Sequence, residues 1–190
     1  MKKNVFALFL LNLIASPVQA VEVGDIMYHD RTFTATYIGA SSAKMPIGLV
    51  YWTYPSKDHG YVMALNQPVD DTWAQASDYC QNFTTLNTKV GDWRLPDLQE
   101  LIPMGKQSWN KIGDDKFNVL NKKLATITGV GEALKTGNYH SHTTGNAGVL
   151  VNLSTGAIIN GNSTNRDTQH FRCIMPVSYT HLTLPTNSLV

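Results

Sequence analysis

Apolar positions along the chain change period twice. From Asp25 to Leu65 they follow strand rules. Asp25–Tyr28 and residues 32–38 flank a His29-Asp30-Arg31 turn. Thr32, Thr34 and Thr36 alternate with Phe33, Ala35 and Tyr37, the period of a half-buried strand. Residues 47–54 (IGLVYWTY) and 61–65 (YVMAL) are β-branched and aromatic, and residues 55–60 (PSKDHG) join them with turn chemistry. Helical spacing then takes over. Asp71 or Thr72 can cap a helix on which Trp73, Ala76, Cys80 and Phe83 share one face, so Cys80 points inward. Asp97-Leu98-Gln99-Glu100, directly after Pro96, has the form of a capping box, and Pro103 keeps that helix short or kinked. Phe117, Leu120 and Leu124 predict a third short helix. Strand patterning returns at 147–153 (AGVLVNL) and 157–160 (AIIN) around a Ser154-Thr155-Gly156 turn, and again at 169–177 (QHFRCIMPV). No fixed-period repeat or internal linker interrupts the series. The order predicts one α+β domain.

The two ends stand apart from that domain. Lys2 and Lys3, the apolar run from Val5 to Ile14 and the small-residue exit at Ser16–Ala20 form a secretory leader, cleaved after Ala20. The run is too short to span a bilayer comfortably, so an uncleaved anchor is the weaker reading, and no stable membrane insertion is expected after cleavage. No Cys follows the cleavage site to take a lipid. Residues 178–190 (SYTHLTLPTNSLV) look like sequencing-adapter DNA translated in frame and are set aside, the alternative being a genuine extra strand. The expected single domain is 21–177.

Charge and cysteine content narrow the function. The chain has 15 basic and 14 acidic residues. Lys2 and Lys3 leave with the leader, so 13 basic face 14 acidic ones in the domain. A near-neutral chain with no basic cluster has no electrostatic footprint for nucleic acid. Export to an oxidising compartment makes a Cys80–Cys173 disulfide the expected state of the two cysteines. Closing so long a loop contributes up to about 4–5 kcal/mol in the chain-entropy model.

Trp73, Ala76, Cys80, the Asp92-Trp93-Arg94-Leu95-Pro96 block, Glu100-Leu101, Asn152, Gly156 and Arg172-Cys173 occur together in an order that resembles a known family. It is a family of bacterial exported domains of unknown function, related to the C-terminal domain of the Lcl collagen-like adhesin. The resemblance runs from about Gly24 to Pro176. It implies a C-type-lectin-like fold, with two main helices packed on mixed or antiparallel strands and the first helix tied to the last strand. The family's aromatic strand is replaced here by Tyr139-His140-Ser141-His142-Thr143, with His where Trp is common.

Candidate sites follow. Trp73, Asp92, Trp93, Arg94, Leu95 and Pro96 are expected to be structural, with Trp93 in the core and Asp92 holding Arg94. His140 and His142, two apart on a strand, face the same way. They hold a metal only if a third ligand such as His170 joins, and hydrogen-bonded imidazoles are the favoured alternative, so no metal is expected. Lectin-type calcium tripeptides are absent, and calcium needs six to eight oxygens. The stretch 160–168, rich in short amides and hydroxyls, forms the expected binding surface with Tyr139, His140 and His142. Its named candidates are Asn160, Asn162, Asn165 and Arg166. No P-loop, HExxH or nucleophile motif is present, and no cofactor is expected. The leading expectation is an exported, non-catalytic, adhesin-like module that binds a glycan or a surface protein without calcium. The alternatives are an enzyme of the formylglycine-generating type, which needs reactive cysteines, and a structural subunit of a surface, fimbrial or phage-tail assembly.

Overall fold

A computed structural model describes residues 20–105, 115–142, 149–160 and 168–178. Its centre is a five-stranded antiparallel sheet in the order β2-β1-β3-β4-β8. The strands are β1 (Ile26–Tyr28), β2 (Phe33–Thr34), β3 (Pro46–Thr53), β4 (His59–Ala64) and β8 (Ile174–Ser178). A smaller antiparallel sheet holds β5 (Asn138–His140), β6 (Val149–Asn152) and β7 (Ile158–Asn160) in that order. The helices are α1 (Trp73–Asn82), α2 (Leu98–Leu101) and α3 (Lys116–Thr126), and a 3₁₀ turn over Ile102–Met104 extends α2. The architecture is α+β with one disulfide, Cys80–Cys173.

Both faces of the large sheet are covered, which explains why β3 reads as an almost unbroken apolar run rather than as a clean alternation. Ile26, Tyr28, Leu49, Tyr51, Met63 and Ile174 pack with Leu101, Met104 and the α3 stripe Phe117, Leu120 and Leu124. Met27, Val50, Val62, Ala64, Met175 and Val177 pack on the other face, with Ala76 and Cys80 of α1 and with Trp93. The stripes at i, i+3, i+4 and i+7 therefore seat α1 and α3 on opposite sides of one sheet. Glycine is required at Gly48, because a Cβ there would clash with Val62 Cγ1 and stand 3.0 Å from Met63 O and 3.5 Å from the Trp93 ring.

Arg172 and Cys173 hold the start of the last strand from two sides. Cys173 bonds Cys80 across 93 residues, with the Cα atoms 5.3 Å apart. Arg172, fully buried, donates from Nη1 to Ala64 O (3.0 Å) and Asn66 O (2.6 Å) and from Nη2 to Glu132 O (2.9 Å). Burial pushes its guanidinium down to about 10, which leaves it charged at neutral pH. The disulfide leaves neither cysteine as a free thiol, so the cysteine pair required by the formylglycine-type alternative is not present as thiols.

Several expectations need correcting. Arg94 is not held by Asp92. It forms a forked pair with Glu100, Nη1–Oε2 and Nη2–Oε1 both 2.6 Å. The capping box at Asp97 folds Glu100 back toward Arg94, while Asp92 accepts from Lys89 N and lies 3.6 Å from Arg31. The strand expected over residues 32–38 shrinks to Phe33–Thr34, because the Thr34 hydroxyl donates to Thr36 O and diverts the backbone from the ladder. Thr72 occupies the cap position of α1, but its side chain makes no capping bond. In the stretch 169–177, Gln169 and His170 form isolated bridges and the continuous strand begins at Ile174; it runs to Ser178, which opposes His59, so β8 enters the segment set aside as a tail. Residues 1–19 of the leader and 179–190 of the tail lie outside the described residues.

Gly48→Ala is expected to lower stability by about 1–3 kcal/mol, the usual cost of overpacking, as read from the shift in thermal midpoint. Arg172→Leu removes the donor from the carbonyls of Ala64, Asn66 and Glu132, of which the buried one at Ala64 costs about 1–3 kcal/mol when left without it. Urea unfolding should therefore show a loss of at least about 1 kcal/mol.

A candidate ligand-binding cleft beside the β3–β4 hairpin

The residues expected to form the binding surface are dispersed. Tyr139 is fully buried in the core, its hydroxyl accepting from Lys135 N (2.7 Å) and donating to Gln67 Oε1 (3.0 Å). Burial pushes that hydroxyl up to about 12. His140 is also fully buried, and its Nε2 lies 2.9 Å from Asp71 O. Neither can touch a partner, which corrects both assignments: the outer edge of β5 is closed over by the segment at His170, through the bridge between Tyr139 and His170. His170, the possible third metal ligand, has Nδ1 2.6 Å from Asp70 Oδ1 and Nε2 3.1 Å from Thr136 O. These ring nitrogens face protein oxygens. Among the described residues no cluster of three or more His, Cys, Asp or Glu could hold a metal ion. Asn160 contributes its backbone to β7 opposite Val149, and Asn162, Asn165 and Arg166 lie outside the described residues. His142 is the expected site residue that reaches the surface. Its ring stacks on Trp73 (6.1 Å between centroids) and its Nδ1 lies 3.6 Å from Asp97 Oδ1.

Asp97 borders a cleft that the sequence reading did not single out. The cavity, about 380 Å³, is lined by Trp52, Tyr54 and Tyr61 from the β3–β4 hairpin and by Asp97, Gln99, Glu100 and Pro103 from α2 and the turn after it. A register shift between Val50 and Trp52 builds its aromatic wall. Val50 pairs with Val62, and the next pair is Trp52 with Tyr61, so β3 carries one extra residue. Such a bulge re-aims a side chain. Strict alternation would send Trp52 to the face opposite Tyr51. Here Tyr51 belongs to the α3-side core, and Trp52 and Tyr61 pack against that same core.

The rings form a corner. Trp52 meets Tyr61 at a centroid distance of 5.6 Å and a tilt of 31°, and meets Tyr54 edge-on at 4.3 Å and 76°. Tyr54 is 43% exposed. On the opposite wall, Glu100 receives the fork of Arg94 and the N–H of Asp97 (2.8 Å). Burial opposes the Glu100 charge, but these hydrogen bonds outweigh it and hold the carboxyl below its free value of 4.5. Tyr61 is pushed above the usual phenol range by burial, then by its hydrogen bonds with Glu100 and Tyr54. The Arg94 guanidinium lies 5.9 Å from the Tyr61 ring centre. A locked ion pair thus fixes the polar wall against the aromatic one. The cleft offers apolar ring faces, carboxylate acceptors at Asp97 and Glu100, and both kinds of partner at the Gln99 amide.

The β-branched and aromatic character of residues 47–54 was legible in the sequence. The register shift and the docking of α2 against the hairpin end had no local sequence signal.

No protein-family model matches the chain, and no curated protein matches it. Among solved structures, a fimbrial protein from Bacteroides ovatus ATCC 8483 matches with a TM-score of 0.56 at 14% identity, over 83% of this chain and 49% of that one. At that identity the likeness is one of fold. The chain spans about half the length of the fimbrial protein. Among the described residues, no helix is long and apolar enough to cross a membrane.

A carboxyl with a depressed folded pKa stabilises the fold fully above its free value and loses that contribution as pH falls through the folded one. The stability gap between the parent and Glu100→Gln should therefore be constant above about pH 4.5 and shrink below it. Thermal midpoints of both proteins between about pH 3 and pH 6 read this directly. A gap that widens on acidification would show that Glu100 is not the charged partner of Arg94.

Proposed function

We propose that this chain is an exported, non-catalytic binding module of the bacterial surface, which uses the Trp52–Tyr54–Tyr61 cleft to recognise a glycan or a surface protein without calcium. The carrying observation is the bulge that delivers Trp52 onto the side of Tyr61, opposite the Arg94–Glu100 pair. A concave site with apolar walls and a few fixed polar groups is the common form of a small-ligand site. The sequence order around Trp93-Arg94-Leu95-Pro96 supports a relation to the Lcl-type exported domains and to the C-type-lectin-like fold. The leader sequence supports removal of residues 1–20, with one domain over 21–177. Residues Asn160, Asn162, Asn165 and Arg166 enter as a further proposed contact, on their polar character alone.

The fimbrial neighbour favours a second reading, an assembly-related role in a surface appendage. The two readings separate experimentally. Under the binding reading, Trp52→Ala and Tyr54→Ala each weaken attachment of the purified protein to its target glycan or cell surface by at least about tenfold. Their circular dichroism and thermal transitions remain cooperative. Under the assembly reading, the parent protein forms ordered oligomers and these variants do so equally well.

A further inference from the structure

The cleft has a neighbour across the Tyr54 ring. A second depression of about 430 Å³ is lined by Tyr54, Ser56, Asp58 and His59, the turn that joins β3 to β4. Tyr54 stands edge-on to Trp52 on one side and to His59 on the other, the latter at 6.0 Å and 79°. The ring is therefore a shared partition. Each depression lies near the lower end of the size range of small-molecule sites, about 300–1,000 Å³.

We propose, resting on the reading of the cleft as a ligand site, that the two depressions are adjoining subsites for an uncharged oligosaccharide of two or more sugar units. A pyranose presents C–H bonds on one face, which suit the negative face of an aromatic ring, and hydroxyls around its rim. Trp52 and Tyr61 supply ring faces in the first subsite, and Asp97 and Gln99 supply hydrogen-bonding groups beside them. Tyr54 serves both subsites, and Ser56, Asp58 and His59 line the second.

Charge selects against acidic sugars. Among the described residues, no lysine or arginine lines either depression. Of the nearby cations, Arg94 commits both terminal nitrogens to Glu100 and Lys57, in the turn, pairs with Glu22, so an acidic sugar meets carboxylates without an uncommitted cation. Of the three lining carboxylates, Glu100 is balanced by the Arg94 guanidinium, and Asp58 is held by the Ser56 hydroxyl and His59 Nδ1 (2.8 Å). A cationic amino sugar is the competing class, which the glycan array separates from the uncharged one.

The test uses the full exported chain on an array of uncharged, uronic or sialylated, and amino-sugar glycans, with mono- and oligosaccharides of each. Affinities of any retained glycan are then measured by titration. Uncharged glycans of two or more units should be retained, and Trp52→Ala should abolish retention. The double variant Asp58→Ala, His59→Ala should weaken the oligosaccharide by at least about tenfold and leave the monosaccharide within about twofold. Preference for acidic or amino glycans, equal affinity for short and long ligands, or no effect of the double variant would overturn the two-subsite proposal. In those cases loss of binding in Trp52→Ala would still uphold the cleft. Retention of glycans unaffected by Trp52→Ala would overturn both. An array on which nothing is retained overturns the oligosaccharide proposal, and cell attachment lost with Trp52 then preserves the cleft for a different ligand.

Discussion

Two consecutive residues hold the architecture together. Cys173 reaches α1 through sulfur, and Arg172 reaches three carbonyls that end β4 and line the segment before β5. A guanidinium suits this position because its planar fork fixes several donors in known directions at once. Its charge is expensive to bury, so the carbonyls must stay in place around it. The last strand thereby acts as a keystone for elements that lie far apart in sequence. The cleft depends on it indirectly, since β8 is the neighbour of β4 and β4 carries Tyr61.

The cleft itself arises from a local irregularity. A regular hairpin would divide Tyr51 and Trp52 between the two faces of the sheet. One extra residue in β3 keeps both on the α3 side, where Tyr51 is sealed into the core and Trp52 remains half-buried. The capping box of α2 then performs two tasks. It starts a short helix, and it turns Glu100 into the partner that fixes Arg94 beside Tyr61. Rigid walls lower the ordering cost of binding, which is where preorganised sites gain affinity.

Periodicity exposed the framework because the framework is periodic. Ala76 and Cys80 on α1, Leu120 and Leu124 on α3, and the β3–β4 hairpin all follow from spacing that a packed element cannot avoid. Pairings between distant residues were legible only where chemistry left a single choice, as for the two cysteines. Arg94 had three nearby acidic candidates, Asp92, Asp97 and Glu100, and nearness in sequence favoured Asp92. Geometry chose Glu100, because the helix cap reverses the chain. Tyr139 and His140 carry the polar groups expected of a surface, yet Gln67 Oε1 and Asp71 O meet them inside. Tertiary partners of that kind leave no trace in local pattern.

The covalent link has a further consequence when the chain meets a protease. The polypeptide between Cys80 and Cys173 includes α2, α3 and the whole smaller sheet. A protease that severs the backbone once anywhere in that interval creates two fragments that stay tethered. Damage at such a point need not release either piece, and the nicked molecule keeps the mass of the intact one until a reductant arrives.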